Sequence, residues 1–145
     1  MDIEIKELTK DLLNNCSYFL DTLSNLRETG NLSLEKQIDI LDKINFQDGH
    51  IFVAIKDNKE IISTSTILIE QKYIRNGAKI GHIEDVATNK NYEGKGIGKK
   101  VVEECISYAK KRGCYKVILD CSDELINFYN YFGFCKSENH MRLNL

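Results

Sequence analysis

The segment Gly94-Lys95-Gly96-Ile97-Gly98-Lys99 separates two stretches of opposite character, and this junction decides the fold. Residues 80–88 before it are predicted to form a strand, and residues 97–111 after it repeat apolar side chains at helical spacing. A helix amino terminus exposes unpaired backbone N–H groups and the positive end of a dipole, and glycines let an anion come close. The segment therefore predicts a phosphate site at the start of a helix.

Two common nucleotide-binding motifs do not fit this glycine-rich segment. The pattern Gly-x-x-x-x-Gly-Lys-Ser/Thr of a P-loop is absent. The third glycine comes too early for a Rossmann fingerprint, and the strands before it are expected to be antiparallel. A flexible surface loop is the alternative interpretation, although two glycines would suffice for a turn.

The segments around this junction predict a mixed α/β domain over residues 1–145. Further strands are predicted at residues 2–8, 51–55, 61–70, 115–121 and 134–143. Helices are predicted from the cap Thr9 to Leu23, from the cap Ser33 to Ile44, from Ile97 to Gly113, and from Ser122 or Asp123 to Phe132. Short turns make the middle strands an antiparallel meander, whereas the strand–helix–strand unit over residues 80–121 implies a parallel pair.

Length and composition exclude several classes of protein. The chain has 145 residues, 42% of them hydrophobic and 29% charged, and a net charge of −2, which gives no nucleic-acid footprint. No apolar run is long enough to span a membrane and no signal peptide is recognisable, so we expect a cytoplasmic protein. Five cysteines without a Cys-x-x-Cys pattern indicate free thiols, and three isolated histidines predict no metal site.

Two further features bear on chemistry. Glu84 and Asp85 are adjacent carboxylates in an apolar strand, where neighbours point to opposite faces, so at least one is expected to face a covered side or a cleft. Such a group could hold a cationic ligand or accept a proton, whereas an edge or bulge would leave both in water. Residues 128–134 form an aromatic cluster that packing alone explains, although Tyr129 could also serve as an acid.

The order strand, glycine loop, long helix, strand and Phe-Tyr-x-x-Phe-Gly-Phe resembles the GNAT superfamily of acetyl-CoA-dependent N-acetyltransferases. Four more segments are similar to its glucosamine-6-phosphate N-acetyltransferase family, and they cover nearly the whole chain in order: Glu28-Thr29-Gly30, residues 63–74, Gly81-His82-Ile83-Glu84-Asp85-Val86 and Cys114 to Cys121. The resemblance implies a mostly antiparallel sheet with one central splayed parallel strand pair and flanking helices. It also implies acetyl transfer from acetyl-CoA to the 2-amino group of glucosamine 6-phosphate, a step of UDP-N-acetylglucosamine biosynthesis.

The resemblance also implies roles for individual residues. Catalytic roles fall on Tyr129 as partner of the departing thiolate, on Glu84 and Asp85 as orienting groups, and on the carbonyl of Asp120. Coenzyme A would contact Val86, Ala87, Gly94, Lys95, Gly96, Ile97, Gly98, Lys99, Tyr129, Asn130 and Tyr131. The substrate glucosamine 6-phosphate, with its amino, sugar and phosphate groups, would contact Thr29, Lys72, Tyr73, Ile74, Arg75, Glu84, Asp85, Tyr115, Lys116 and Arg142. Because some family residues act across subunits, the resemblance implies a homodimer with a shared active site.

The chain departs from the family pattern at three positions. Glu93 stands where glutamine or arginine is usual, and Leu125 replaces an asparagine that bonds the pantetheine arm. Asn144 occupies the place of an arginine that binds the sugar phosphate, and we predict that Arg142 substitutes because it points to the same side of a strand. Two alternatives remain open: a GNAT enzyme for another amine or a protein substrate, and a module that senses acetyl-CoA without turnover.

Overall fold

A computed structural model describes residues 1–145, which form a five-stranded sheet with helices on both faces. The strands are β1 (Ile3–Glu7), β2 (Gly49–Lys56), β3 (Glu60–Gln71), β4 (Lys79–Thr88) and β5 (Cys114–Ile118). They follow one another in the order of the chain. Neighbours are antiparallel from β1 to β4, whereas β4 and β5 are parallel.

Six helices surround the sheet. They are α1 (Lys10–Asn15), α2 (Phe19–Ser24), α3 (Leu34–Phe46), α4 (Ile74–Gly77), α5 (Ile97–Lys111) and α6 (Ile126–Asn130). Thr9 and Ser33 cap α1 and α3 as predicted, because each side chain accepts a hydrogen bond from an amide in the first turn. No helix in the structure has both the length and the apolar composition that a membrane crossing requires.

The single helix predicted from Thr9 to Leu23 is two helices, so that prediction is wrong. The backbone of Ser17 leaves the helical path and pairs with the start of β3, donating to the Lys59 carbonyl at 2.8 Å and accepting from the Ile61 amide at 2.9 Å. Tyr18 then takes a left-handed conformation with φ of 75° and restarts the chain as α2. The apolar spacing is helical on both sides of this break, which is why periodicity alone does not reveal it.

The two faces of the sheet bury different helices. On one face, α5 places the buried side chains Val102 and Cys105 against Phe52 and Ile67 of the sheet. The buried Val101 of the same helix packs against Ala54 and Ile62. On the other face, α1 and α3 pack against β2 and β3, with these side chains in one cluster: Leu8, Leu13, Leu41, Ile51, Val53, Ile55 and Ile61. The amphipathic pattern of α5 therefore predicts its buried face correctly.

The predicted fold class is confirmed, but the carboxyl-terminal end differs from expectation. The strand predicted at 115–121 ends at Ile118, and the last strand predicted at 134–143 is not formed. Residues 134–145 contain the polar run Lys136-Ser137-Glu138-Asn139-His140, which cannot bury an apolar face, and they pair with no strand in this chain. Consequently β5 is an edge strand, and the parallel pair closes one side of the sheet instead of lying at its centre.

Candidate active site

The glycine-rich segment forms the entry to α5. Gly94 and Gly96 have φ of 74° and 78°, left-handed values that glycine adopts without strain, and Gly96 is the N-cap residue. No side chain caps the helix, and its first turn contains no acidic residue. The first amides of a 15-residue helix are therefore free to bind an anion such as a pyrophosphate.

Two lysines of the segment are held by aromatic rings. The ammonium of Lys95 lies 5.6 Å from the centroid of the Tyr92 ring. The ammonium of Lys99 lies 3.8 Å from the centroid of the Tyr131 ring, so two residues that the sequence assigned to cofactor binding are in contact. Cation–π contacts of this kind position a charge while leaving it free to meet an anion.

Glu93, the acid beside the glycine segment, has a partner of its own. The side-chain amide of Asn25, at the end of α2, donates to the Glu93 carboxylate at 2.7 Å and to the Thr88 carbonyl at 2.8 Å. Gly98 lies against the same end of β4, where a Cβ atom would meet the Thr88 hydroxyl at 3.0 Å. The last residue of β4, the glycine segment and α2 thus form one connected unit.

A β-bulge in β4 determines where the two adjacent carboxylates point. Thr66 pairs with Glu84 and Thr64 pairs with Ala87, so one residue of β3 faces two residues of β4. Asp85 stands in this bulge with φ of 50°, an unusual value for a residue with a side chain. The bulge interrupts the alternation of the strand, and Glu84 and Asp85 both reach one cavity instead of opposite faces.

That cavity, about 360 Å³ in volume, lies between the sheet and helices α1 to α3. Glu84, Asp85 and Thr29 line it together, as the sequence assignments require of neighbours in one site. Burial raises the pKa of Glu84, and the negative charge of Asp85 raises it further. A carboxylate with a raised pKa accepts a proton more readily, which suits a group that faces an ammonium.

The parallel strands β4 and β5 separate beside this site. Their pairing ends at His82 and Ile118, although β4 continues to Thr88. Val86 and Ala87 therefore have no strand partner on that side, and they border a gap between two diverging strands. This gap is where the sequence predicts the pantetheine arm to lie.

Tyr129 is buried at the end of α6, with only 7% of its surface exposed. Its ring packs edge-on against Phe128 and Phe134, with centroid distances of 4.9 and 6.0 Å. Burial raises the pKa of Tyr129 to about 12, and the nearby Cys121 contributes to the rise. The phenol therefore stays protonated at neutral pH and can donate a hydrogen bond to a developing anion.

A second cavity, about 970 Å³, opens beside Tyr129. Asp120, Asn130 and Lys116 also line it, together with several residues of the carboxyl-terminal segment. The Asp120 carboxylate pairs with His140 of that segment, with 2.9 Å between Oδ2 and Nδ1. The residues assigned to catalysis are thus divided between this cavity and the one that holds Glu84.

Three residues assigned to the sugar phosphate form a cationic patch. The Arg75 guanidinium lies 4.9 Å from the centroid of the Tyr115 ring, and the Lys116 ammonium lies 5.5 Å from the same centroid. Lys116 pairs with Ile80, four residues before Glu84. At about 3.3 Å per residue, the patch is roughly 13 Å from the carboxylates along the strand.

The other assigned residues lie near this patch or on the carboxyl-terminal segment. Lys72 pairs with Glu70 at 3.4 Å, and the turn residues Tyr73 and Ile74 are exposed. Arg142 donates from Nε to the side-chain oxygen of its near neighbour Asn144 at 2.7 Å. Because the predicted last strand is not formed, no strand within one chain directs Arg142 toward the phosphate.

Sequence reasoning missed the hydroxyl residues of β3. Thr64 is 1% exposed, and its hydroxyl oxygen has no hydrogen-bond partner. Its neighbours are satisfied: the Ser63 hydroxyl donates to the Ala87 carbonyl at 3.0 Å, and Ser65 accepts from the Cys105 thiol at 3.3 Å. The run Ser63-Thr64-Ser65-Thr66 inside a buried strand is the signal that could have revealed it.

The buried thiol on α5 is not a nucleophile. Burial raises the pKa of the Cys105 thiol to about 12, so it stays protonated and unreactive. The structure brings together no group of three or more His, Cys, Asp or Glu side chains in a geometry that could hold a metal ion.

The glycine-capped helix, the separated strand pair and the buried tyrosine define a class of protein. The model of the acetyltransferase (GNAT) family matches residues 15–134, and the chain belongs to this family. Within it, the chain is 40% identical over 118 residues to a glucosamine 6-phosphate N-acetyltransferase from Arabidopsis thaliana, which covers 79% of each chain. A Trypanosoma brucei brucei protein of the same name is 32% identical over 147 residues, covering 100% of this chain and 97% of that one.

The similarity extends to three-dimensional structure. The crystal structure of glucosamine-6-phosphate N-acetyltransferase from Arabidopsis thaliana superimposes with a TM-score of 0.92 at 34% sequence identity, and the match covers 99% of both chains. Agreement over both chains extends beyond the glycine segment that GNAT proteins share.

Proposed function

We propose that this protein transfers the acetyl group of acetyl-CoA to the 2-amino group of D-glucosamine 6-phosphate. The products are N-acetyl-D-glucosamine 6-phosphate and coenzyme A, and the product would feed UDP-N-acetylglucosamine synthesis. The observation that carries the choice of acceptor is the similarity, across 79–100% of the chain, to relatives that bear this name. The arrangement of carboxylates, tyrosine and cationic patch supplies the groups that such an acceptor needs.

The cofactor side of the site fits acetyl-CoA as co-substrate. The free amides at the start of α5, with Lys95 and Lys99 beside them, suit the pyrophosphate. The gap beside Val86 and Ala87 suits the pantetheine arm, which would add hydrogen bonds where β5 no longer pairs. Asn130 is the last residue of α6 and Tyr131 is its C-cap, so both follow Tyr129 directly and would contact the same part of coenzyme A.

The chemistry is direct transfer in a ternary complex. The sugar ammonium must lose a proton, and Glu84, whose pKa is raised, would take it. The neutral nitrogen attacks the thioester carbon and forms a C–N bond, and the carbon–sulfur bond then breaks with its electron pair on sulfur. Tyr129 donates a hydrogen bond to that thiolate. The nitrogen releases its second proton as the amide forms, the thiolate takes up one proton in its place, and Glu84 returns the first proton to solvent.

We further propose that the active site is shared in a homodimer. The cationic patch of Arg75, Tyr115 and Lys116 lies at the start of the parallel pair, whereas Glu84 lies beyond its end. A separation of roughly 13 Å is too long for one hexose ring to bridge. β5 also has a free edge, and the apolar side chains at the carboxyl terminus, Met141, Leu143 and Leu145, are more than four-fifths exposed. A second copy would cover this edge and bring its own patch to the carboxylates.

Subunit complementation tests the shared site. Arg75→Ala and Glu84→Gln variants should each be nearly inactive toward the phosphosugar. After refolding of an equimolar mixture, about a quarter of wild-type activity should return, because half of the dimers are mixed and one of their two sites is intact. Activity that stays at the level of the separate variants would contradict sharing, and sedimentation velocity would report the oligomeric state independently.

Thiol release from acetyl-CoA tests the function itself. Glucosamine 6-phosphate is compared with glucosamine, spermidine and a lysine peptide under the same conditions. We expect release with the phosphosugar alone, because the cationic patch would bind its phosphate. Release with another amine alone would support the use of acetyl-CoA and would contradict glucosamine 6-phosphate as the acceptor. Tight acetyl-CoA binding without release for any amine would indicate a sensor.

A further inference from the structure

The cavity beneath α1 to α3 contains more apolar surface than a hexosamine phosphate would use. Eleven of its 19 lining residues are hydrophobic, and none is a lysine, arginine or histidine. Glu84 and Asp85 supply the only charges, and both are negative. A phosphate would be repelled there, and a sugar ring would leave leucine and isoleucine side chains without apolar contacts. The charge and the lining instead complement a cation that carries an apolar group.

Thr64 adds a polar group inside this cavity. Its side chain lines the wall, it is 1% exposed, and its hydroxyl oxygen has no hydrogen-bond partner. A buried hydroxyl without a partner destabilises a fold, and most such groups in proteins are satisfied. Thr64 lies one pair along β3 from Thr66, which faces Glu84, so the hydroxyl and the carboxylate share one wall.

We propose that this cavity binds small primary amines with an apolar tail, such as alkylamines and arylalkylamines. The ammonium lies at Glu84 and Asp85, the tail packs under α1 and α3, and the Thr64 hydroxyl accepts one of the three ammonium N–H bonds. The volume of about 360 Å³ falls in the range of roughly 300–1,000 Å³ that small-molecule pockets occupy. This inference rests on the proposed function in one respect, because the same carboxylates would hold the amine of the sugar.

Competition follows from that shared use of the carboxylates. An apolar amine should raise the Michaelis constant for glucosamine 6-phosphate and leave that for acetyl-CoA unchanged. A neutral molecule with the same tail lacks the ammonium, and a short amine lacks the tail, so both should bind at least tenfold more weakly. The inhibition should also weaken at acidic pH as Glu84 becomes protonated, because burial and Asp85 raise its pKa.

Binding of 2-phenylethylamine is the direct test, with 2-phenylethanol and ethylamine as matched probes. Ligand-observed NMR reports binding without turnover, and inhibition of acetyl transfer reports competition. Thr64→Val keeps the shape of the side chain and removes the unpaired hydroxyl. This variant should therefore have a higher melting temperature and should still bind 2-phenylethylamine five- to tenfold more weakly. Thr64→Ser retains the hydroxyl and should restore most of the affinity, which separates hydrogen bonding from packing.

A cavity-filling variant gives a second, independent readout. Leu68→Phe adds volume at the wall and leaves the carboxylates in place, so it should exclude the aromatic amine. Equal affinity for 2-phenylethylamine and 2-phenylethanol, or unchanged affinity in both Thr64→Val and Leu68→Phe, would overturn the inference. If the phosphosugar reacts and no apolar amine binds, the inference fails and the proposed function stands. If apolar amines bind or are acetylated and the phosphosugar is inert, the inference stands and the proposed function fails.

Discussion

Replacing Tyr129 by phenylalanine removes one hydroxyl and leaves the surrounding packing intact. The ring makes edge-on contacts with Phe128 and Phe134, and a phenylalanine keeps both. The hydroxyl donates to no group within the chain, so its loss breaks no internal hydrogen bond. We therefore expect the free energy of unfolding to change by less than about 1 kcal/mol, equivalent to a few degrees in melting temperature.

The loss of activity should be much larger than the loss of stability. A preorganised donor aimed at a developing anion contributes about 100- to 1,000-fold to turnover, which is roughly 2.7–4 kcal/mol. Burial holds the pKa of Tyr129 at about 12, so every molecule has the proton in place at neutral pH. Tyr129→Phe should lower kcat by this factor and leave the Michaelis constants within about threefold, because the phenol stabilises charge that exists only in the transition state.

Steady-state thiol release between pH 6 and 10 measures this effect. The matched control is Tyr131→Phe, which alters an exposed tyrosine of the same segment and keeps the ring beneath Lys99. The wild-type profile should show no alkaline decline attributable to Tyr129 below pH 10, because its folded pKa lies above that range. Turnover of Tyr129→Phe within threefold of wild type would refute the assigned role, whereas an equal loss in Tyr131→Phe would show that the segment, and not the phenol, is responsible.

Three further substitutions probe the glycine segment, a charged network and a tight contact. Gly98→Ala should raise the Michaelis constant for acetyl-CoA several-fold, because its Cβ would lie 3.0 Å from the Thr88 hydroxyl. Saturation kinetics with each substrate measures this effect, and an equal rise in the Michaelis constant of the acceptor would show that the whole site is distorted. Asp48→Asn should cost about 1 kcal/mol at pH 7, since Arg112 holds the pKa of Asp48 at about 2 and the side chain is 39% exposed, which screens the pair. This difference in the free energy of unfolding is present above about pH 4 and should shrink as the pH falls through about 2, where Asp48 becomes protonated in the folded protein. Urea unfolding of both proteins measures it, and an equal difference at pH 7 and pH 2.5 would contradict the prediction. Gly49→Ala should destabilise by roughly 1–3 kcal/mol because its Cβ would meet the Ile44 carbonyl at 2.9 Å; a melting temperature equal to that of wild type would show that the end of α3 can move away.

The elements that the sequence predicts well are those whose own residues determine them. The amphipathic pattern from Ile97 and the stop at Gly113 predict α5, because both signals act within a few residues. The caps Thr9 and Ser33 are correct for the same reason. The left-handed backbone at Gly96 and the uncapped amides of α5 are also local properties, so the sequence predicts the geometry of this loop, while anion binding there stays a prediction.

The features that the sequence does not predict depend on distant partners. The helical pattern continues through Ser17, and only its pairing with β3 reveals the break. The bulge at Asp85 depends on the register of two strands, so the rule that neighbours face opposite sides fails there. The strand expected at residues 134–143 does not form although β5 has a free edge, because pairing there would also need an apolar face that the polar run at residues 136–140 lacks. The resemblance to a known family, in contrast, correctly predicts the family and the activity of its relatives.

The hydrogen bonds of Asn25 link the end of α2 to the entrance of the glycine segment. One amide joins α2, which covers the acceptor cavity, to Glu93 at the entrance of the glycine segment and to the end of β4. A ligand that moves α2 would therefore also act on the glycine segment, where we propose that the pyrophosphate binds. Thermodynamic linkage is reciprocal, so an acceptor that tightens coenzyme A binding by some factor must itself bind tighter by the same factor once coenzyme A is present. The side chain of Asn25 would carry such a coupling between the two proposed substrate sites.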